Sequence, residues 1–105
     1  MKICILGELK YIDEIEYLKN ELSSTSNYIC IPVLEYEDKK NIPENDVNYY
    51  LFVRDCILNS DYILIITEDK KNRSFIFNFG MVFGSKKKFK VILRKNVKIL
   101  SNKEL

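Results

Sequence analysis

Few side chains in this 105-residue sequence could do chemistry, and the missing types narrow the choice first. There is no histidine, so a Ser-His-Asp triad, a Cys-His pair and a histidine-based metal site are excluded. The three cysteines, Cys4, Cys30 and Cys56, lie far apart in apolar stretches, without C-x-x-C spacing. They read as buried core thiols, and neither a metal nor a cofactor is expected. What remains is a set of carboxylates, one amide and one basic–hydroxyl pair. Glu8 follows an apolar run and Gly7. Asp55 stands beside Arg54, and Asp61 and Asp69 flank an apolar run that ends in Thr67. Asn78 sits inside the apolar segment Ser74 to Gly84, where an amide without partners would cost on the order of 1–3 kcal/mol. Asn78 therefore either contacts a ligand or is bonded to backbone or across a subunit contact. Arg73 and Ser74 open the same segment. At a helix start, N–H groups, a hydroxyl and a guanidinium together favour an anion such as a phosphate. The plainer role for Ser74 is helix capping.

These residues need elements to position them. Lys2-Ile3-Cys4-Ile5-Leu6 reads as a buried strand closed by Gly7. Ile12, Ile15, Leu18 and Leu22 recur at helical spacing between charged residues, which predicts a first amphipathic helix. Tyr28 to Val33 is a second strand, with Pro32 marking an edge or an ending. Residues 35–46 read as a loop. Asp46 is a candidate N-cap for a second helix carrying Val47, Tyr50, Leu51, Arg54, Ile57 and Leu58 on one side. Tyr62 to Thr67 is continuous and apolar, as in a central parallel strand covered on both faces. A third helix from about Ser74 is apolar nearly all round, and so buried on more than one side. Lys86-Lys87-Lys88 follows, where cations complement a helix C-terminus. Phe89 to Leu93 is a fourth strand, and Val97 to Leu100 a candidate short fifth.

The alternation of strands and helices predicts one α/β domain over residues 1–105, with right-handed crossovers and a parallel sheet between helix layers. Order 2-1-3-4 is the flavodoxin-like solution. Ligands in such sheets bind beyond the carboxyl ends of the strands, near the switch between strands 1 and 3. Gly7, Glu8, Thr67, Arg73 and Ser74 would meet there, and the missing side chain of Gly7 would let a ligand approach the backbone.

Composition sets the class. Hydrophobic residues make up 47% and charged residues 30%, the balance of a soluble globular domain. No apolar run approaches the roughly 18 residues that span a bilayer. The N-terminal run lacks the length and cleavage site of a signal peptide, so a cytoplasmic protein is expected. Net charge is +2, but residues 1–69 hold 6 basic and 14 acidic side chains, and residues 70–105 hold 11 and 1. Such asymmetry marks an anion-binding end, a polar subunit contact or a solvated lysine edge. The run Lys86 to Lys90 has neither a recognition helix nor an aromatic platform beside it, so nucleic acid is not the expected partner. Gly80 and Gly84, four apart, allow close packing of another backbone. The aromatic residues Tyr49, Tyr50, Phe52, Phe79 and Phe83 exceed what one small sheet covers, so helices 2 and 3 are expected to join copies of the chain.

The stretch Phe52 to Leu93 resembles the nucleoside 2-deoxyribosyltransferase superfamily, including the deoxynucleoside-monophosphate N-glycosidases. The matching residues are Lys2 to Gly7, then Phe52-Val53-Arg54-Asp55, then Asp61 before Tyr62 to Ile66. Asn78-Phe79-Gly80 stands at the family's Glu-x-Gly, followed by Gly84-Ser85-Lys86 and Phe89 to Leu93. The resemblance implies a nucleoside or nucleotide ligand, and makes Asp55 a base contact or proton-transfer group. It also implies a nucleophilic glutamate where this chain has Asn78. A carboxamide cannot serve there, because its nitrogen lone pair is delocalised and its oxygen is a poor nucleophile. Asn72 and Arg73 stand where acidic residues are usual, Ser74 replaces a glycine, and Cys4 an aromatic. The expected function is therefore a nucleoside- or nucleotide-binding protein with a degenerate catalytic site. Two alternatives stand beside it. One is an active N-glycosidase or transferase using Asp55, Glu8 or Asp69. The other is a protein-interaction module that keeps only the fold.

Overall fold

A computed structural model describes residues 1–24, 27–36 and 47–99. Lys2–Leu6 form strand β1, and its pleat sends successive side chains to opposite faces. Ile3 and Ile5 enter one hydrophobic cluster, and Cys4 and Leu6 the other. Tyr62–Thr67, strand β3, divides in the same way, with Leu64 and Ile66 on the first side and Ile63 and Ile65 on the second. This two-sided burial explains why both strands read as continuous apolar runs.

Strand β2 (Tyr28–Cys30) and strand β4 (Lys88–Leu93) complete a parallel sheet of order β2-β1-β3-β4. That is the expected flavodoxin-like α/β arrangement. The first face is covered by helix α1 (Ile12–Ser23), which buries Ile15, Leu18 and Leu22 as its spacing predicts. A single 3-10 turn, Leu9–Tyr11, leads into it. The second face is covered by helix α3 (Val47–Leu58) and helix α4 (Arg73–Ser85), the second and third helices of the sequence reading. Asp61 ties the sheet's amino edge together, its N–H donating to Lys2 O at 2.7 Å and its carboxylate accepting from Lys2 N at 2.9 Å.

Several expectations need correction. The second strand stops at Cys30, and Pro32 opens a four-residue helix, α2 (Pro32–Glu35), instead of finishing the strand. A proline at the first helical position has its φ preset and no N–H to lose. The Glu35 carboxylate also reaches back to accept the Ile31 N–H. The buried side of α3 is Val53, Cys56 and Ile57, while Val47, Leu51 and Leu58 face outward. Helix α4 starts at Arg73, and its cap is Asn72 rather than Ser74, with Asn72 Oδ1 accepting from Phe75 N at 3.2 Å. It buries Phe75 and Val82 but leaves Ile76, Phe77 and Phe83 exposed, so it is covered on one side only. Gly80 and Gly84 face open space, so their spacing serves no close packing within the chain. The candidate fifth strand is a 3-10 helix, Arg94–Ile99. Val97 is fully buried in the α1-side cluster, and that anchor replaces strand pairing. Asp46, Leu100 and all but the start of the 35–46 loop lie outside the described residues.

Candidate functional site

The carboxyl ends of β1 and β3 are neighbours, and they bring most of the expected site residues to one edge. Gly7 and Glu8 follow β1, Thr67 ends β3, and Asp69, Arg73 and Ser74 follow Thr67 into α4. Gly7 has no positive φ. A Cβ there would lie 3.5 Å from Ile15 and Tyr11 and 3.6 Å from Ile66, so the missing side chain looks into the packing beneath α1. Glu8 is half-buried, with Lys10 Nζ 3.1 Å from its Oε2, and this pairing raises the Lys10 pKa. Thr67 is buried, and its hydroxyl donates to Asp69 O at 2.9 Å and accepts from Asp69 N at 3.3 Å. The hydroxyl thus shapes the turn into α4. Arg73 is exposed and Ser74 half-buried, as the first and second residues of a 13-residue helix. Helix ends of this kind favour anions.

Beside this edge is a network that sequence reasoning missed. Tyr11 is buried, and its hydroxyl accepts from Glu68 N at 3.2 Å, joining the loops after β1 and β3. Lys10 and Arg94 each lie 5.4 Å from the centre of its ring. Arg94 Nε donates to Glu14 Oε1 at 2.8 Å, and Arg94 Nη1 pairs with Glu68 Oε1. The Arg94 hydrogen bond holds Glu14 below the ordinary carboxylate range, against the opposing effect of desolvation. Glu14 and Glu68 in turn hold the guanidinium proton more tightly. One signal was available: Glu68 and Arg94 each directly follow a strand, and so must lie at the carboxyl edge.

Asn78 lies one turn after Phe75 in α4, half-buried between the inward residues Phe75, Phe79 and Val82. No hydrogen bond to its amide is present among the described residues. Asp55 sits elsewhere, exposed on α3 and paired with Arg54 at 3.4 Å. It lines a cleft of about 340 Å³ between α3 and edge strand β2, with Cys30, Glu35, Phe52, Cys56 and Ser60. Asn78 is not among the residues lining that cleft. The structure therefore divides the expected site between the strand ends, the inner side of α4, and the α3–β2 cleft.

The cleft also brings together what the sequence spreads out. Cys4 and Cys30 are register partners on adjacent strands, and Cys56 comes down onto them from α3. The Cys30 and Cys56 sulfurs are 2.7 Å apart, and all three thiols are free. Cys4 is fully buried and Cys56 nearly so, but Cys30 is half-exposed, which corrects the reading of three equivalent core thiols. Hydrogen bonding with Cys4 and then with Cys56 holds the Cys30 thiol well below its ordinary pKa, while the same contacts and burial push its two neighbours up. Partial burial, with Cys30 alongside, raises Glu35. Among the described residues no acidic or thiol group is arranged to hold a metal ion, and no helix is long and apolar enough to cross a membrane.

No family model and no curated protein matches the sequence. Among solved structures, the CMP N-glycosidase BcmB of Clostridium botulinum matches with a TM-score of 0.65. That match covers 97% of this chain and 84% of BcmB, at 14% identity. The chain thus shares the fold of that N-glycosidase, with the parallel order β2-β1-β3-β4 that the sequence predicts.

Proposed function

We propose that this protein binds a nucleoside or nucleotide without cleaving its glycosidic bond. The observation that carries the reading is Asn78, a half-buried amide without a hydrogen bond among the described residues, on the inward side of α4. The fold shared with a CMP N-glycosidase supports a nucleotide as the ligand class. An amide so placed can donate to and accept from a sugar or base, and it cannot attack an anomeric carbon. A phosphate would sit near Gly7, Arg73 and Ser74, where the α4 amino terminus and the Arg73 charge act locally against the acidic first two-thirds of the chain. Glu8 and Thr67 border that position, whereas Asp55 lies in the separate α3–β2 cleft and is not part of it.

The reading includes a homo-oligomer joined through α3 and α4. Ile76, Phe77 and Phe83 are exposed on α4 and Val47, Leu51 and Leu58 on α3, while Tyr49, Tyr50, Phe52 and Phe79 form the partly covered layer beneath. Gly80 and Gly84 leave room on the same side of α4 for another helix.

Calorimetry with CMP and cytidine tests the binding. CMP should bind more tightly, and Arg73→Ala should remove the difference, with a larger loss at low salt. Equal affinities would overturn the phosphate site, and no binding of either would leave the fold as an interaction scaffold. Chromatography should detect no free base from the wild type, and Asn78→Glu should bring weak release. Robust wild-type release would move the chemistry to Glu8, Asp55 or Asp69.

A further inference from the structure

The three thiols differ in ways that give each a distinct part. Cys30 ends edge strand β2 and opens onto the α3–β2 cleft. Cys56 lies on α3, on the opposite wall, with its sulfur 2.7 Å from that of Cys30. A disulfide bond is about 2.05 Å long, so less than an ångström of closure separates this pair from bonding distance. Cys4 is fully buried behind them on β1. Glu35 of α2, Asp55 of α3 and Lys2 of β1 are the charged groups lining the same cleft.

We infer that Cys30 and Cys56 form a peroxide-oxidisable dithiol, with Cys30 as the attacking sulfur and Cys56 as the resolving one. The oxidant is hydrogen peroxide or a small alkyl hydroperoxide, which a cleft of about 340 Å³ admits. The Cys30 thiolate attacks the terminal peroxide oxygen. The O–O bond breaks, the leaving oxygen takes a proton as water or alcohol, and Cys30 becomes a sulfenic acid. The Cys56 sulfur then attacks the sulfenic sulfur. The S–O bond breaks, and hydroxide departs with the Cys56 proton as a second water. Two thiols lose two electrons and two protons, and the peroxide gains both. Cys30 is the more exposed of the two and Cys56 is nearly buried, which suits Cys30 to the first step. The product would tie edge strand β2 covalently to α3.

The test treats the reduced, folded wild-type protein with a small excess of hydrogen peroxide. The thiol titre should fall from three to one, and peptide mass mapping should find a Cys30–Cys56 link. Alkylation with iodoacetamide at mildly acidic pH should modify Cys30 at least about tenfold faster than Cys56, a measurement that needs no variant. Cys56→Ser should stop at a Cys30 sulfenic acid, captured by dimedone. Cys4→Ser should still form the link. A titre that stays at three, a Cys4–Cys30 link instead, or equal oxidation rates in the folded and urea-unfolded chain would each overturn the assignment.

Discussion

The two faces of the sheet are built from the same strands and differ in almost everything else. On the α1 side, aliphatic residues fill the interface, and an ion-pair network of Glu14, Glu68 and Arg94 closes its carboxyl edge over buried Tyr11. On the α3–α4 side the layer contains three thiols, a row of aromatic rings and the Asn78 amide, which has no hydrogen bond among the described residues. Its outer surface still exposes Phe77 and Phe83. Phe83 is 67% exposed, whereas Leu18 of α1 is 0% exposed. One face is finished within the chain, and the other has area and functional groups left over. A small domain buries only part of its surface, and here the finished face carries most of that burial.

The largest effect should come from breaking the finished face. Leu18→Ala removes a fully buried side chain, and should cost about 2–5 kcal/mol in urea unfolding. On the open face, Phe83→Glu should leave the isolated chain within about 0.5 kcal/mol of wild type. The same substitution should weaken self-association at least about tenfold, read by light scattering across concentration. A wild type with one chain's mass at all concentrations would remove the proposed contact and leave the apolar stripe unexplained.

The faces should also answer acid with opposite sign. Arg94 depresses Glu14 below its ordinary value of 4.5, so the stabilisation from Glu14 is present above that value and is lost as pH falls through the depressed one. Burial raises Glu35, so the folded chain holds a proton that the unfolded chain would release. Its cost is full above the raised value and vanishes below 4.5. Glu14→Gln should therefore destabilise the protein near neutral pH and be neutral in strong acid. Glu35→Gln should stabilise it near neutral pH and also be neutral in strong acid. Urea midpoints at about pH 7 and about pH 3 separate the two, and a shared sign would break the comparison.

The smallest effects concern the backbone. Lys86 ends α4 with φ 60°, a left-handed conformation that glycine adopts without strain, so Lys86→Gly should stabilise by up to about 1 kcal/mol. Gly7→Ala meets only ordinary contacts and needs no change of φ, so its thermal midpoint should move by no more than a few degrees.

Much of this architecture is local, and so was legible. Alternating strand and helix signals predicted the order 2-1-3-4. The Ile12–Ile15–Leu18–Leu22 spacing predicted which side of α1 is buried, with Ile12 at the helix start only half-buried, and the unbroken run Tyr62 to Thr67 marked a strand covered on both faces. Each follows from residue periodicity read against a known backbone repeat. The tertiary structure decided what depends on register and on return paths. Parallel pairing sets Cys4 beside Cys30, and α3, crossing back over that face, lowers Cys56 onto them. No local pattern encodes that meeting. Arg94 reaches Glu14, 80 residues away, because β4 ends at the edge where α1 begins, so the basic end of the chain neutralises part of the acidic one. Val97 reads as strand by composition, but a buried position under α1 favours a 3-10 turn over pairing at the sheet edge. Periodicity reports which side of an element is apolar. Only the assembled sheet fixes which side chains meet across it.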